Sequence, residues 1–153
     1  MRIYIVEDSP IKANNLVTYV SDLLGDAQDI HLYVSFQSGL KAIEANPPDT
    51  LILDMTLPTF DRRPNAREGR LRPLGGYDIM RKLKLKGIYT KIIVVTQLES
   101  FGDDEDEVSF KEITAQCHRE FPDVFLGSVY YDQNGTNWRP HLQKLLALVN
   151  LDD

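Results

Sequence analysis

Acidic side chains follow two apolar runs that the sequence predicts to be β-strands. Glu7 and Asp8 come after the run RIYIV, Asp54 comes after the run TLIL, and Thr96 ends the run KIIVVT. Two carboxylates about 4 Å apart repel each other by roughly 4 kcal/mol at an effective dielectric constant near 20. Such a cluster must therefore raise a carboxyl pKa or bind a cation. Hard oxygen ligands of this kind suit Mg²⁺ or Mn²⁺.

The elements that would bring these side chains together alternate between strand and helix patterns. The predicted strands are Arg2–Val6, His31–Phe36, Thr50–Asp54, Lys91–Thr96 and Phe125–Tyr131. Helical patterns follow each of them, and continuous apolar strands alternating with helices predict an α/β fold with a parallel sheet covered on both faces. Ligands of such sheets bind beyond the carboxyl ends of the strands, which is where the acidic residues and the threonine stand.

The first predicted helix comes directly after the acidic pair. Ser9 would cap this helix, and Pro10 would occupy its first turn, where the missing N–H costs nothing. Its apolar stripe would consist of Ile11, Val17, Val20 and Leu24.

Composition narrows the class of protein. At 153 residues the chain has the length of one domain. A net charge of −6 argues against a nucleic-acid-binding surface, which needs excess positive charge. The chain has one cysteine, so no internal disulfide can form, and no apolar run approaches the ~18 residues of a membrane span. We therefore expect a single cytoplasmic domain, residues 1–153, without direct nucleic-acid or membrane contacts.

Four segments together resemble the response-regulator receiver domains of two-component signalling. They are IYIVEDS, DTLILDMTLP, GGYDIMRKLK and KIIVVTQLES, and the resemblance is strongest over Met1–Pro58 and Gly75–Ser100. It implies a flavodoxin-like, doubly wound parallel sheet of five strands in the order 2-1-3-4-5, with helices on both faces. It also implies a stand-alone phosphorylation switch that is not an enzyme, apart from catalysing its own phosphorylation and dephosphorylation.

The resemblance assigns a role to each residue at the strand ends. Asp54 would accept a phosphoryl group from a histidine kinase or a phosphotransfer protein. Mg²⁺ (or Mn²⁺) would be held by Asp8 directly, by Glu7 through water, by Asp54 and by the backbone carbonyl of Thr56. The hydroxyl of Thr96 would donate a hydrogen bond to the phosphoryl group and report the state of the site to a downstream protein.

The chain departs from the receiver pattern where a lysine is expected at the end of the fifth strand. That position falls between Tyr131 and Asn134, and none of the residues there is basic. The alternative function is therefore a pseudo-receiver, an interaction module that phosphorylation does not regulate. A metal-dependent phosphatase of the haloacid-dehalogenase type is a third reading, but that family needs an acid two residues after the nucleophile, where Thr56 stands.

Two further segments are unusual. The insertion 59–74 is longer than most loops and holds two acids and five arginines: Arg62, Arg63, Arg67, Arg70 and Arg72. It could be a solvated insertion or a partner-binding loop, or one of its arginines could replace the missing lysine, because guanidinium binds phosphate well. The stretch 99–107 has six acids and no base, so it could be solvated, could pair with the insertion over Asp54, or could form a charge-patterned docking surface with it.

Overall fold

The computed structural model describes residues 1–26, 28–61, 71–102, 105 and 107–149. In chain order the elements are β1 (Arg2–Val6), α1 (Pro10–Leu24), β2 (Asp29–Tyr33), α2 (Phe36–Ala45), β3 (Thr50–Leu53), β4 (Leu57–Pro58), β5 (Leu71–Arg72), α3 (Gly75–Leu85), β6 (Lys91–Thr96), β7 (Ser100–Phe101), β8 (Val108–Ser109), α4 (Phe110–Glu120), β9 (Phe125–Tyr130) and α5 (Trp138–Val149).

The central sheet confirms the predicted topology. Five parallel strands lie in the order β2-β1-β3-β6-β9, which is 2-1-3-4-5 when only the strands of this sheet are numbered. The second strand starts and ends earlier than predicted, and its early end follows from the Ser35 cap of α2. Its side chain accepts a hydrogen bond from Ser38 N–H at 3.1 Å, so the chain turns into the helix at Phe36.

Helices cover both faces of this sheet, as the continuous apolar strands predicted. Alternate residues of β1 point to opposite faces, so Ile3 and Ile5 pack with α1 and α5, whereas Tyr4 and Val6 pack with α2, α3 and α4. None of the described helices combines the length and the apolar composition that crossing a membrane requires.

The buried face of α1 differs from the predicted stripe. Ile11 is 70% exposed, so its assignment to the stripe was wrong, while Lys12 is buried together with Ala13, Leu16 and Val20. At 3.6 residues per turn, Ile11 lies roughly 200° around the helix axis from Ala13, which places it opposite the sheet. A lysine therefore occupies the core-facing side of the first turn.

Two short antiparallel ribbons that the sequence did not predict lie beside the main sheet. Strands β4 and β5 pair at the two ends of the insertion, and Gln37 N–H donates a hydrogen bond to Thr59 O at 3.0 Å. Strands β7 and β8 pair at the two ends of the acidic stretch, where Phe101 is buried in the core. The remainder of both segments, residues 62–70, 103, 104 and 106, lies outside the described residues.

The start of α3 lies directly against the turn that follows β3. Gly76 N–H donates a hydrogen bond to Met55 O at 2.8 Å. A Cβ atom at Gly76 would overlap the carbonyl oxygen of Asp54 and would lie 3.1 Å from Met55 Cα. Only glycine allows this close approach of the helix to the backbone of Asp54.

We expect Gly76→Ala to lower the free energy of unfolding by about 1–3 kcal/mol, because the added methyl group meets backbone atoms that cannot rotate away. Alanine's better helix propensity, worth up to about 1 kcal/mol, would offset only part of this loss. Urea denaturation followed by circular dichroism measures the change.

Gly135→Ala is the matched control. A Cβ there would meet only the side chain of Asp132, with Oδ2 at 3.5 Å, which is an ordinary contact. The control should change the unfolding free energy by no more than about 0.5 kcal/mol. A Gly76→Ala variant as stable as this control would contradict the close packing of α3 on the turn after β3.

Candidate functional site

The carboxyl ends of the central strands form one edge in register. Val6, at the end of β1, pairs with Leu53, at the end of β3. The hydrogen bonding continues one residue further, because Asp54 N–H donates to Val6 O at 3.0 Å and Glu7 N–H donates to Tyr33 O at 2.9 Å. The backbone itself therefore sets Glu7 and Asp54 side by side, as the sequence predicted.

The ammonium group of Lys12 lies between these carboxylates. Its Nζ is 2.5 Å from Glu7 Oε1 and 3.4 Å from Asp54 Oδ1, and it donates a hydrogen bond to Val95 O at 2.7 Å. The lysine residue is only 1% exposed. One buried cation thus contacts oxygen atoms from β1's end, β3's end and β6.

Glu7 is the more deeply placed of the two carboxylates. Its Oε2 accepts a hydrogen bond from Ser9 N–H at 2.9 Å. Burial, and after it the nearby Asp54 carboxylate, raises the pKa of Glu7 to about 7, although the Lys12 ammonium acts in the opposite direction.

Asp54 differs from its neighbours in exposure. Its side chain is 12% exposed, against 3% for Glu7 and 2% for Lys12. Oδ1 accepts a hydrogen bond from Met55 N–H at 2.8 Å, which orients the carboxylate against the turn. Of the three groups, Asp54 is therefore the one that a reactant from solution can best reach.

The other predicted site residues lie at the same edge with partners of their own. The hydroxyl of Thr96 is buried at the end of β6 and accepts a hydrogen bond from Leu98 N–H at 3.3 Å. Thr56 Oγ1 donates to Pro73 O at 2.9 Å. Asp8 is half-buried between β1 and α1. In the described part of the chain, neither threonine side chain is hydrogen-bonded to Asp54.

Tyr131 stands where the sheet's last strand ends. Its ring is buried against Trp138, its hydroxyl accepts a hydrogen bond from Asn15 Nδ2 at 2.8 Å, and its ring centre lies 5.6 Å from Lys12 Nζ. The residue that directly follows the last strand is therefore aromatic and not basic. The positive charge beside Glu7 and Asp54 is the ammonium group of Lys12, which belongs to α1.

Sequence reasoning missed Lys12, although a signal was present. Lys12, Leu16 and Val20 are spaced by four residues, so they share one face of a helix. The predicted stripe began at Ile11, which is one residue out of step with the face that Lys12, Leu16 and Val20 share.

Of the five arginines of the insertion, the structure describes Arg72, so the idea that an arginine replaces the missing lysine can be tested for this residue. Its guanidinium lies 4.0 Å from the ring centre of Phe36 and 3.7 Å from Asp78 Oδ2. Arg72 therefore interacts away from Asp54. Arg62, Arg63, Arg67 and Arg70, and with them the predicted pairing of the insertion with the acidic stretch, lie outside the described residues.

The donor atoms at this edge fit a hard divalent cation. Within the described ranges no three acidic, histidine or cysteine side chains form a metal-binding group by themselves. Mg²⁺ needs only one or two carboxylates, because it keeps several of its water ligands. The adjacent carboxylates of Glu7 and Asp54 and the raised pKa of Glu7 are the features that fit such an ion.

Sequence comparison finds relatives along nearly the whole chain, although no family model matches it. The chain is 32% identical over 149 residues to the Detocs response regulatory protein DtcB of Enterobacter cloacae, covering 96% of this chain and 99% of that protein. It is 30% identical over 155 residues to the uncharacterized protein y4jR of Sinorhizobium fredii, covering 99% of both. A DtcB protein of Vibrio alginolyticus is 24% identical, covering 96% of this chain and 98% of that protein.

Solved structures share the fold. The receiver domain of the Francisella response regulator 1452 superposes with a TM-score of 0.64 at 14% identity, covering 99% of this chain and 98% of that one. A DNA-binding response regulator of the LuxR family from Staphylococcus aureus gives a TM-score of 0.61 at 18% identity, with 97% and 98% coverage. From the similarity to response regulatory proteins over nearly its full length, and from its sheet order, the chain belongs to the response-regulator receiver family of two-component signalling.

Proposed function

We propose that this protein is a phosphoacceptor switch in which Asp54 takes a phosphoryl group from a histidine kinase or a phosphotransfer protein. The observation that carries the proposal is the placement of Asp54. Its carboxylate is partly exposed at the tip of a central strand, and Lys12 and Glu7 lie buried behind it. A nucleophile that solution can reach, next to a fixed cation, suits phosphoryl transfer, which depends on positioning and on neutralising charge.

The proposed reaction requires one displacement at phosphorus. A carboxylate oxygen of Asp54 forms the new P–O bond while the P–N bond of the donor phosphohistidine breaks. The bonding electron pair stays on the imidazole nitrogen, which then takes a proton. Hydrogen bonds from Met55 N–H to Oδ1, and from Gly76 N–H to Met55 O, hold the carboxylate and its turn in place during the attack.

The metal part of the proposal assigns Asp8, Asp54 and the Thr56 carbonyl to Mg²⁺ (or Mn²⁺), with Glu7 acting through water. When bound, the ion supplies charge neutralisation at the phosphoryl oxygens. Glu7 supports this assignment because it is buried with a raised pKa and would gain a compensating charge.

Thr96 would transmit the state of Asp54. Its hydroxyl accepts a hydrogen bond from Leu98 N–H and keeps its own proton to donate, so a rotation of Thr96 toward a phosphoryl group on Asp54 would shift the Leu98 contact. That change would move the chain that leads from β6 into β7. We propose that a downstream protein recognises the surface altered in this way.

The alternative is an interaction module that phosphorylation does not regulate. It is favoured by one observation, namely that Lys12 already forms ion pairs with Glu7 and Asp54. These pairs could serve only to stabilise the edge of the sheet.

We expect the wild-type protein to gain the mass of one phosphoryl group when it is incubated with acetyl phosphate and Mg²⁺, and Asp54→Asn to gain none. Asparagine keeps the size of the side chain but lacks the nucleophilic carboxylate. Intact-protein mass spectrometry measures the gain, and circular dichroism checks that the variant is folded.

Asp123→Asn is the matched control, since Asp123 is an exposed acid before β9, at the opposite edge of the sheet. It should be phosphorylated like the wild type. If the wild-type protein gains no mass and beryllofluoride causes no change in Trp138 fluorescence, the interaction module is the better reading.

Mg²⁺ should raise the melting temperature. At ten times the dissociation constant the stabilisation is about 1.4 kcal/mol, which corresponds to a rise of about 3–6 °C for a domain of this size. Asp8→Ala should lose most of this rise, because it removes a proposed direct ligand. Differential scanning calorimetry at constant ionic strength measures it.

Asp22→Ala, at an exposed acid later in α1, is the control and should keep the full rise. An Asp8→Ala variant that also keeps it would argue against a metal ion at this site.

A further inference from the structure

We infer that Lys12, in the first turn of α1, supplies the phosphoryl-binding cation that receiver domains normally carry at the end of the fifth strand. The inference rests on the proposed phosphoacceptor role of Asp54 and extends it to a residue that the receiver pattern does not assign.

The first argument is proximity. Lys12 Nζ lies 3.4 Å from Asp54 Oδ1, the carboxylate that would carry the phosphoryl group. A phosphoryl group bonded to that carboxylate extends its oxygen atoms beyond the side chain, so it falls within ion-pair reach of the same ammonium. No movement of α1 is needed to bring the charge there.

The second argument is that the ammonium is fixed before any reaction. Val95 O accepts a hydrogen bond from Nζ at 2.7 Å, and Glu7 Oε1 lies 2.5 Å away on a deeper side. Lysine is rarely buried to this degree unless it is paired. A charge already held in position is effective in stabilising a transition state, because little reorganisation is required when new charge develops.

The third argument is that another side chain fills the usual place. Tyr131 directly follows the fifth strand of the sheet, its hydroxyl accepts a hydrogen bond from Asn15, and its ring centre lies 5.6 Å from Lys12 Nζ. The face of an aromatic ring attracts an ammonium group, so Tyr131 favours the position that Lys12 adopts. The strand contributes a supporting ring, and the helix contributes the charge.

The position of this lysine changes which element responds to phosphorylation. Lys12 connects Asp54 to α1 and, through Val95 O, to the residue before Thr96 in β6. A phosphoryl group that draws Lys12 away from Glu7 would alter the contacts of α1 with the sheet.

The test compares Lys12→Met and Lys12→Gln with the wild-type protein. Each variant removes the charge but keeps most of the side-chain volume, and glutamine can still donate to Val95 O. The rate of phosphorylation by acetyl phosphate, followed by intact mass, should fall by roughly 100-fold, the loss found when one stabilising donor is removed from a transition state. The Mg²⁺-dependent rise in melting temperature should remain, because the proposed metal ligands are intact.

Lys41→Met, at an exposed lysine of α2, is the matched control and should be phosphorylated at the wild-type rate. Folded Lys12 variants that are phosphorylated at that rate would overturn the role of Lys12 while leaving Asp54 as the acceptor. A wild-type protein that takes up no phosphoryl group would instead overturn the phosphoacceptor function, and this inference with it.

A crystal structure of the wild-type protein with Mg²⁺ and beryllofluoride tests the inference even if the variants fail to fold. Lys12 Nζ should lie about 3 Å from a fluoride atom bound at Asp54, the distance of a charge-assisted hydrogen bond. An arginine of the insertion at that fluoride, with Lys12 still directed only at Glu7 and Val95, would overturn it.

Discussion

The ammonium group of Lys12 joins parts of the molecule that would otherwise repel or separate. It contacts Glu7 after β1, Asp54 after β3 and the carbonyl of Val95 in β6, and it belongs to α1. A charge can be buried only when opposite charges and hydrogen bonds compensate the loss of water, and this holds for the carboxylates as well as for the lysine. The burial of Glu7, of Asp54 and of Lys12 at this edge of the sheet therefore depends on the presence of the other two groups.

The backbone gives this cluster its fixed frame. Parallel strands in register bring their carboxyl ends to one line, and α3 packs so closely on the following turn that only glycine fits at position 76. The backbone of Asp54 is thus held by the sheet through Val6 O, and the start of α3 packs against the turn that follows it. Both ribbons, β4–β5 and β7–β8, leave the sheet from this same edge, after β3 and after β6. The insertion 59–74 and the acidic stretch 99–107 therefore both begin at the edge of the sheet where Asp54 lies.

Much of the fold could be predicted because it depends on local patterns. Continuous apolar runs indicated buried parallel strands, and the acids that follow them indicated where the strand ends would meet. The ribbons could not be predicted, since two-residue strands carry no periodic pattern and form only because their partners are brought close by the main sheet. The start of α2 was missed for a similar reason, because the Ser35 cap lies within a run that continues the apolar pattern of β2.

The sequence by itself determined the alternation of strands and helices, the edge at which chemistry could occur and Asp54 as a candidate residue there, because alternation and strand-end acids are properties of neighbouring residues; the strand order came from the resemblance to receiver domains. It also determined that the last strand ends without a lysine. Only the tertiary structure decided that Lys12 stands at the acids in its place. A side chain on a helix and a carboxylate 42 residues later become neighbours solely through the packing of α1 on the sheet, and the depth of that packing is set by Ala13, Leu16 and Val20 together.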